Sequence, residues 1–271
     1  MKAATLKTAI IVPARFASSR YPGKPLVPLT GATGEAKPLI RRSWEAARAV
    51  DGVTSVTIAT DDARIAEAAR GFGAEVAMTP EECANGTERC AAALAALDRD
   101  VELIVNLQGD APLTPPHFLD ALVAAMRADE SVQVATPAIR ASPAVQRRLL
   151  GDQAEGRVGG TTVAVDARGD ALYFSKAVIP HVPVARIGDP TLPLFLHVGV
   201  YAYRRAALER YARHPASPLE ELEGLEQLRF LDMRESVRVV EVDATGYDIW
   251  ELNNPEDVPV IEAALLRREI A

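Results

Sequence analysis

Cysteine is scarce in this chain, with only Cys83 and Cys90 in 271 residues. They are seven positions apart with no histidine cluster beside them, so they form neither a disulfide framework nor a zinc site. They read as free thiols of a reducing cytosol. No apolar run approaches the eighteen or so residues of a membrane helix. The apolar stretch after the polar N-terminus ends at Pro13 and Arg15, too early for a secretory signal. A soluble, cytoplasmic protein is the expectation. Basic charge is outnumbered: 30 Lys and Arg against 37 Asp and Glu, a net charge of −7. That excludes a broad cationic face for duplex nucleic acid and leaves room only for a local cationic pocket. Repeats, low-complexity tracts and clear linkers are also missing. What remains is an average globular composition, 48% hydrophobic and 25% charged, long enough to bury a large core without staples.

The first half alternates strand and helix signals. Ala9–Val12 is a short continuous apolar run, as in a strand buried on both faces. Residues 39–50 read as a helix and 53–59 as a strand. Asp61-Asp62 caps a helix to about Phe72. Residues 75–78 are a brief strand, 87–97 a helix and 101–107 a strand ending in Gln108-Gly109-Asp110. Pro115-Pro116 opens a helix to about Ala128. Such alternation predicts βαβ units and a Rossmann-like open, mostly parallel sheet with helices on both faces.

The second half differs. Residues 161–165 and 171–174 flank a turn and predict a hairpin. Residues 180–193 hold four prolines and no period, which predicts a long exposed loop. Residues 197–203 alternate like one strand. Ser217-Pro218-Leu219-Glu220 spells a capping box that starts a helix to about Arg234. A strand at 237–242 and a helix at 255–268 close the chain. The expectation is one domain, 1–271, with an inserted antiparallel lobe at about 155–235.

Four segments carry chemistry. The first, 13–26, follows the first strand at the carboxyl edge of the sheet, where open α/β folds bind ligands. It combines Arg15, Arg20 and Lys24 with Ser18, Ser19 and Gly23, a mixture suited to polyphosphate, although an exposed basic loop would look the same. It has neither P-loop nor G-x-G-x-x-G spacing. The second is Gln108-Gly109-Asp110, where a carboxylate after a buried strand can hold a divalent cation or simply cap a turn. The third, Asn85-Gly86-Thr87-Glu88-Arg89, opens a helix whose amides suit a base edge or phosphate; an ordinary N-cap with a solvated Glu-Arg pair is the alternative. The fourth joins His197 and Tyr201 on one strand face with Glu223, Glu226 and Gln227 on one helix face, a donor and acceptor set for a polyhydroxylated ligand. A core histidine and a solvated glutamate stripe are its bland counterparts. No general base is evident.

Taken together, PARFASSRYPGKPL at 13–26, ATDD at 59–62, NGTER at 85–89, VNLQGDAPL at 105–113, ALYFSKAVIP at 171–180, HVGVYAYRR at 197–205 and SPLEELEGLEQLR at 217–229 are collinear. The chain resembles the 3-deoxy-manno-octulosonate (Kdo) cytidylyltransferase, or CMP-Kdo synthetase, family over nearly its whole length. The resemblance implies transfer of CMP from CTP to a 2-keto-3-deoxy sugar acid with release of pyrophosphate, Mg²⁺ as cofactor, a place in lipopolysaccharide biosynthesis, and a homodimer joined through the second lobe. It implies Arg15, Lys24 and Asp110 as catalytic groups. Ala14, Arg15, Ser18, Ser19, Lys24, Asn85, Gly86, Arg89 and Gln108 would bind nucleotide. Lys176, His197, Tyr201, Glu226 and Gln227 would bind the acceptor, and Asp110 and Asn253 the metal.

Departures fall mainly in the acceptor half. The family's Q-G-D-E-P is Gln108-Gly109-Asp110-Ala111-Pro112, its S-R-A is Ser175-Lys176-Ala177, its N-x-V-K-V region is Gly159-Gly160-Thr161-Thr162-Val163, and its second metal carboxylate is Asn253. An arginine fork replaced by a lysine point charge alters how a carboxylate is held. A cytidylyltransferase for amino-Kdo, another ulosonate or a carboxylated phosphonate is the rival inside the enzyme class. A catalytically weak nucleotide-binding paralogue is the rival outside it.

Overall fold

The structure is a computed structural model that describes residues 6–18, 20–247 and 249–271. Ser19, one of the expected phosphate contacts, lies outside the described residues. The first half supplies β1 (Lys7–Ala14), β2 (Pro28–Thr30), β3 (Ala36–Pro38), α1 (Leu39–Arg48), β4 (Ser55–Thr60), α2 (Ala63–Gly71), β5 (Glu75–Met78), α3 (Gly86–Ala93), β6 (Val101–Leu107) and α4 (Pro116–Ala128). The second supplies β7 (Val134–Arg140), α5 (Pro143–Ala154), β8 (Thr162–Val165), β9 (Ala171–Ser175), β10 (Phe195–His197), β11 (Val200–Arg204), α6 (Arg205–Arg213), α7 (Pro218–Glu223), α8 (Leu228–Asp232), β12 (Val237–Glu241) and α9 (Asp257–Arg267).

Ten strands form one sheet in the order β5-β4-β1-β6-β11-β7-β10-β8-β9, with β12 paired to β7. β5, β4, β1 and β6 are mutually parallel. The antiparallel strands of the second half extend this same sheet. Alternate residues of β1 enter different cores, as a doubly covered strand requires. Ala9 and Ile11 pack with α3, α6 and α8 through Cys90, Leu208 and Phe230. Ile10 and Val12 pack with α1, α2 and α4 through Trp44, Ile65 and Leu122. Helices therefore cover both faces.

Several expectations change. Residues 197–203 are not one strand: β10 and β11 lie end to end along β7 and part at Val198-Gly199. The break falls opposite Pro137, which has no N–H to give a partner; its carbonyl accepts from Val198 N at 3.1 Å. At this break the sheet divides, β11 pairing with β6 and β10 with β8. β7 and α5 carried no sequence expectation at all. The capping box is present at Ser217 and Glu220, but the helix it opens stops at Gly224, whose φ of 62° is left-handed. Glu223, Glu226 and Gln227 thus do not share a helix face. The proline-rich loop is held down: Val182 and Leu192 are buried with Leu194 and Ala141, and Gln146 bonds both Gly188 N and the Asp189 carbonyl at 2.8 Å. Among the described residues no helix is long and apolar enough to cross a membrane.

Candidate active site

A cavity of about 1280 Å³ opens where the sheet divides, lined from both halves of the chain. Its cationic wall is the segment after β1. Gly23 N donates to the Phe16 carbonyl at 2.9 Å and closes the loop, and the Arg64 guanidinium stacks on the Phe16 ring at 3.4 Å. Arg15 is exposed at the cavity, with no ion pair among the described residues. The loop meets the end of β6 through Gly109. Its N–H donates to the Pro13 carbonyl at 3.2 Å, and a Cβ there would stand 2.7 Å from that same oxygen. Only glycine allows the two strand ends to approach this closely. Lys24 consequently reaches Asp110, Nζ to Oδ2 at 2.5 Å, and also donates to the Leu252 carbonyl at 3.1 Å.

The opposite wall is buried and mostly neutral. Thr136 Oγ1 lies 2.8 Å from both the Val200 carbonyl and His197 Nε2. A hydroxyl has one proton, and the carbonyl can only accept it, so the imidazole donates from Nε2 and keeps the Nδ1 lone pair. Burial pushes the His197 pKa down to about 3, so the ring is neutral. Its ring centroid lies 5.6 Å from that of Tyr201. Tyr201 donates to Gln227 Oε1 at 3.1 Å. Gln227 Nε2 is buried with no partner among the described residues, a donor left over at the cavity wall.

The start of α3 takes the N-cap alternative, with Asn85 as the cap, but its Glu-Arg pair is not a solvated one. Its first turn is capped from within: Glu88 N donates to Asn85 Oδ1 and Thr87 N to Glu226 Oε2, both at 2.8 Å. Asn85 Nδ2 turns to Tyr211 and Glu220. Glu226 also accepts from Gln108 Nε2 at 3.3 Å, and burial raises its carboxyl above the ordinary range. Arg89 is buried and paired with Asp61 at 3.0 Å while donating to Thr79 Oγ1 at 2.7 Å. Ala14, Ser18, Asn85, Gly86, Arg89 and Gln108 all line the cavity. Lys176 does not. It is exposed at the rim, where its Nζ lies 3.0 Å from the place of a Cβ on Gly224. Glu223 accepts from Ser175 Oγ and Lys176 N at 2.7 and 2.9 Å, and so ties the end of β9 to α7. Glu220 is buried in a two-pronged pair with Arg229, at 2.6 and 2.7 Å, so it is no ligand-facing stripe.

Asn253 neither caps α9 nor stands free. Its Oδ1 accepts from Arg20 Nη2 at 2.8 Å, and Asp257 collects the N–H groups of Asn253 and Asn254. The sequence reading passed over Glu251, which lines the cavity. Burial and the charge of Asp110 push its carboxyl above the usual range. Only the chain's return past Asp110 signals it. Among the described residues no group of three or more His, Cys, Asp or Glu side chains is arranged to hold a metal. Two carboxylates nevertheless act on each other here, Asp110 and Glu251, while Asn253 Oδ1 and the Leu252 carbonyl beside them accept from Arg20 and Lys24. The carboxylate pair fits a Mg²⁺ ion that takes one or two carboxylates and completes its shell with phosphate and water.

The family model described as Cytidylyltransferase matches residues 9–237. A 3-deoxy-manno-octulosonate cytidylyltransferase of Maricaulis maris is 42% identical, over 94% of this chain and 95% of its own length. An 8-amino-3,8-dideoxy-manno-octulosonate cytidylyltransferase of Shewanella woodyi is 36% identical, over 96% and 99%. The solved structure of a CMP:2-keto-3-deoxy-manno-octonic acid synthetase complexed with CTP superposes with a TM-score of 0.83 at 34% identity, covering 97% of this chain and 99% of that one.

Proposed function

Because this chain belongs to the cytidylyltransferase family, we propose that it transfers CMP from CTP to Kdo or a close 2-keto-3-deoxy relative and releases pyrophosphate. A hydroxyl of the acid attacks the α-phosphorus in line, and the bond to the pyrophosphate oxygen breaks. Little covalent work falls to the protein, so its residues position and neutralise. Arg15 and Lys24 hold the phosphate oxygens; Lys24 leaves its ion pair with Asp110 to do so. Asp110 is the principal carboxylate for Mg²⁺. When bound, that ion offsets charge on the phosphate oxygens. His197 Nδ1 accepts from an acceptor hydroxyl, and Gln227 Nε2 donates to an acceptor oxygen. The activated sugar acid then serves glycosyl transfer in lipopolysaccharide assembly.

The observation that carries this reading is the unpaired Gln227 amide beside a neutral His197, across one cavity from the Lys24–Asp110 pair. A buried unpaired donor costs about 1–3 kcal/mol, and a polyhydroxylated acid would relieve that cost. We also infer a homodimer built on the second half: β9 is an outer strand of the sheet and leaves Leu172 exposed, as are Leu219 and Leu222 of α7.

Pyrophosphate release with each of CTP, ATP, GTP and UTP, against Kdo and 8-amino-Kdo as acceptors, tests the assignment. CTP with one of the two acids should give the fast reaction. Equal thermal stabilisation by UTP or ATP with Mg²⁺ would count against it. No pyrophosphate release from any pair would favour a nucleotide-binding paralogue.

A further inference from the structure

The chain returns to the cavity through Glu251-Leu252-Asn253. Leu252 is fully buried among Leu29, Leu113 and Ile261. Its N–H donates to the Asp110 carbonyl at 2.9 Å, and its carbonyl accepts from Lys24. This segment is therefore fixed alongside Asp110 by its backbone. With Leu252 turned inward, its two neighbours turn outward, and both line the cavity.

The two neighbours are not equivalent. The amide oxygen of Asn253 is occupied by Arg20 at 2.8 Å. The carboxylate of Glu251 has no ion pair within 4.0 Å among the described residues. Its hydrogen bond there is a long one, 3.5 Å from Asn253 Nδ2. Glu251 Oε1 also lies 3.8 Å from the place of a Cβ on Gly199, at the break in the sheet between the two walls. Asp110 is ion-paired with Lys24; Glu251 has no such pair and feels Lys24 and Arg20 only from farther off. A largely buried carboxylate beside a second carboxylate and without a contact ion pair is costly unless something positive arrives.

We propose that Glu251 is the second carboxylate for the divalent cation that accompanies the nucleotide, and that Asn253 instead anchors Arg20 over the phosphate loop. The proposal rests on the CTP and Mg²⁺ reading above. Two carboxylates from opposite segments then face one cation, and the neutral amide between them orders a cationic side chain. Position 253 loses a charge, and position 251 supplies it from the same face of the same extended segment.

Binding of Mn²⁺, followed by loss of the free-ion electron paramagnetic resonance signal, tests this in full-length protein without acceptor, with and without CTP. Glu251→Gln should raise the Mn²⁺ Kd in the presence of CTP about tenfold or more, the range for removing a group that supports a metal site. It should leave metal-free CTP binding unweakened, because a negative charge near the triphosphate is gone. Asn253→Asp added to Glu251→Gln should restore Mn²⁺ binding to within about threefold, since the new carboxylate faces the same cavity. Unchanged Mn²⁺ affinity in Glu251→Gln, with affinity lost in Asp110→Asn, would overturn the role of Glu251 and leave the nucleotide reading intact. Failure of the second substitution to restore binding would make the first effect structural and would also overturn it. No CTP-dependent Mn²⁺ binding by the wild-type protein would overturn the reading on which the proposal stands.

Discussion

Lys24 and Asp110 meet at the open face of the cavity, with side chains 14% and 24% exposed. Arg15 stands beside them exposed and without an ion partner among the described residues. Across the cavity, Tyr201 and Gln227 are buried and His197 is neutral; His197 Nε2 is settled against Thr136 and the Tyr201 hydroxyl against Gln227 Oε1, which leaves Gln227 Nε2 unpartnered among the described residues. One wall is charged and can rearrange; the other is neutral and fixed in advance. The difference suits the two ligands of the reaction proposed above. A triphosphate brings its own charge, and flexible cations can follow it. A sugar acid offers hydroxyls at fixed angles, which only donors and acceptors of settled tautomer can distinguish.

The largest effect should come from breaking the support behind the neutral wall. Arg229 is 3% exposed by side chain, donates twice to Glu220, bonds Glu88 at 2.8 Å and lies 4.1 Å over the Tyr211 ring. Arg229→Met leaves Glu220 buried without its cation and should cost about 3–5 kcal/mol in urea unfolding. Glu220→Gln in the same chain should recover much of that loss. A cost under about 1 kcal/mol for the single variant would mean that this network does not hold the wall.

On the charged wall the effect should be on rate and not on stability. Asp110→Ala and Lys24→Ala should each lower kcat by about a hundredfold or more, the scale of one transition-state electrostatic group, with folding little changed because the pair is partly solvated. A folded variant with near-normal turnover would remove that residue from the mechanism.

A smaller effect concerns His197. Its pKa is depressed in the fold to about 3, against about 6.5 unfolded. Below about pH 6.5 the unfolded chain takes up a proton that the folded chain refuses, so stability falls as pH falls through that window. At pH 5.5 the loss should be about 1.4 kcal/mol relative to pH 7.5 or above. His197→Gln should lack this increment when unfolding curves at the two pH values are compared. An equal pH response in both proteins would mean that the imidazole is solvated and titrates normally.

The charged wall was the more legible in sequence. Residues 13–26 and 105–110 follow buried apolar runs, and strand ends in parallel sheets point one way, so local pattern alone brings Lys24 and Asp110 to one edge. Asp62 as an N-cap and the Ser217–Glu220 capping box were equally readable, because capping is settled within four residues. The neutral wall was not. Alternation over 197–203 suggested a continuous strand, but the partner strand carries Pro137, and a proline on one strand can break its neighbour without a trace in that neighbour's own sequence. β7 carries that proline within it, and a proline inside an apolar run argues against a central strand.

Within its own span, the sequence determined the alternation of strands and helices, the cationic loop after β1, the carboxylate after β6 and the caps, all of which depend on residues a few positions apart. Tertiary structure alone decided which groups face the ligand. Gly224 ends a helix that periodicity would continue, and so separates Glu223 from Glu226 and Gln227. Glu226 turns to the amide of Thr87, 139 positions away, and Tyr201 to Gln227. Glu251 gains its position only because Leu252 is anchored to Asp110, more than a hundred residues earlier. These pairings depend on which buried polar group finds a partner once the sheet has closed, and no local window of the chain contains both members.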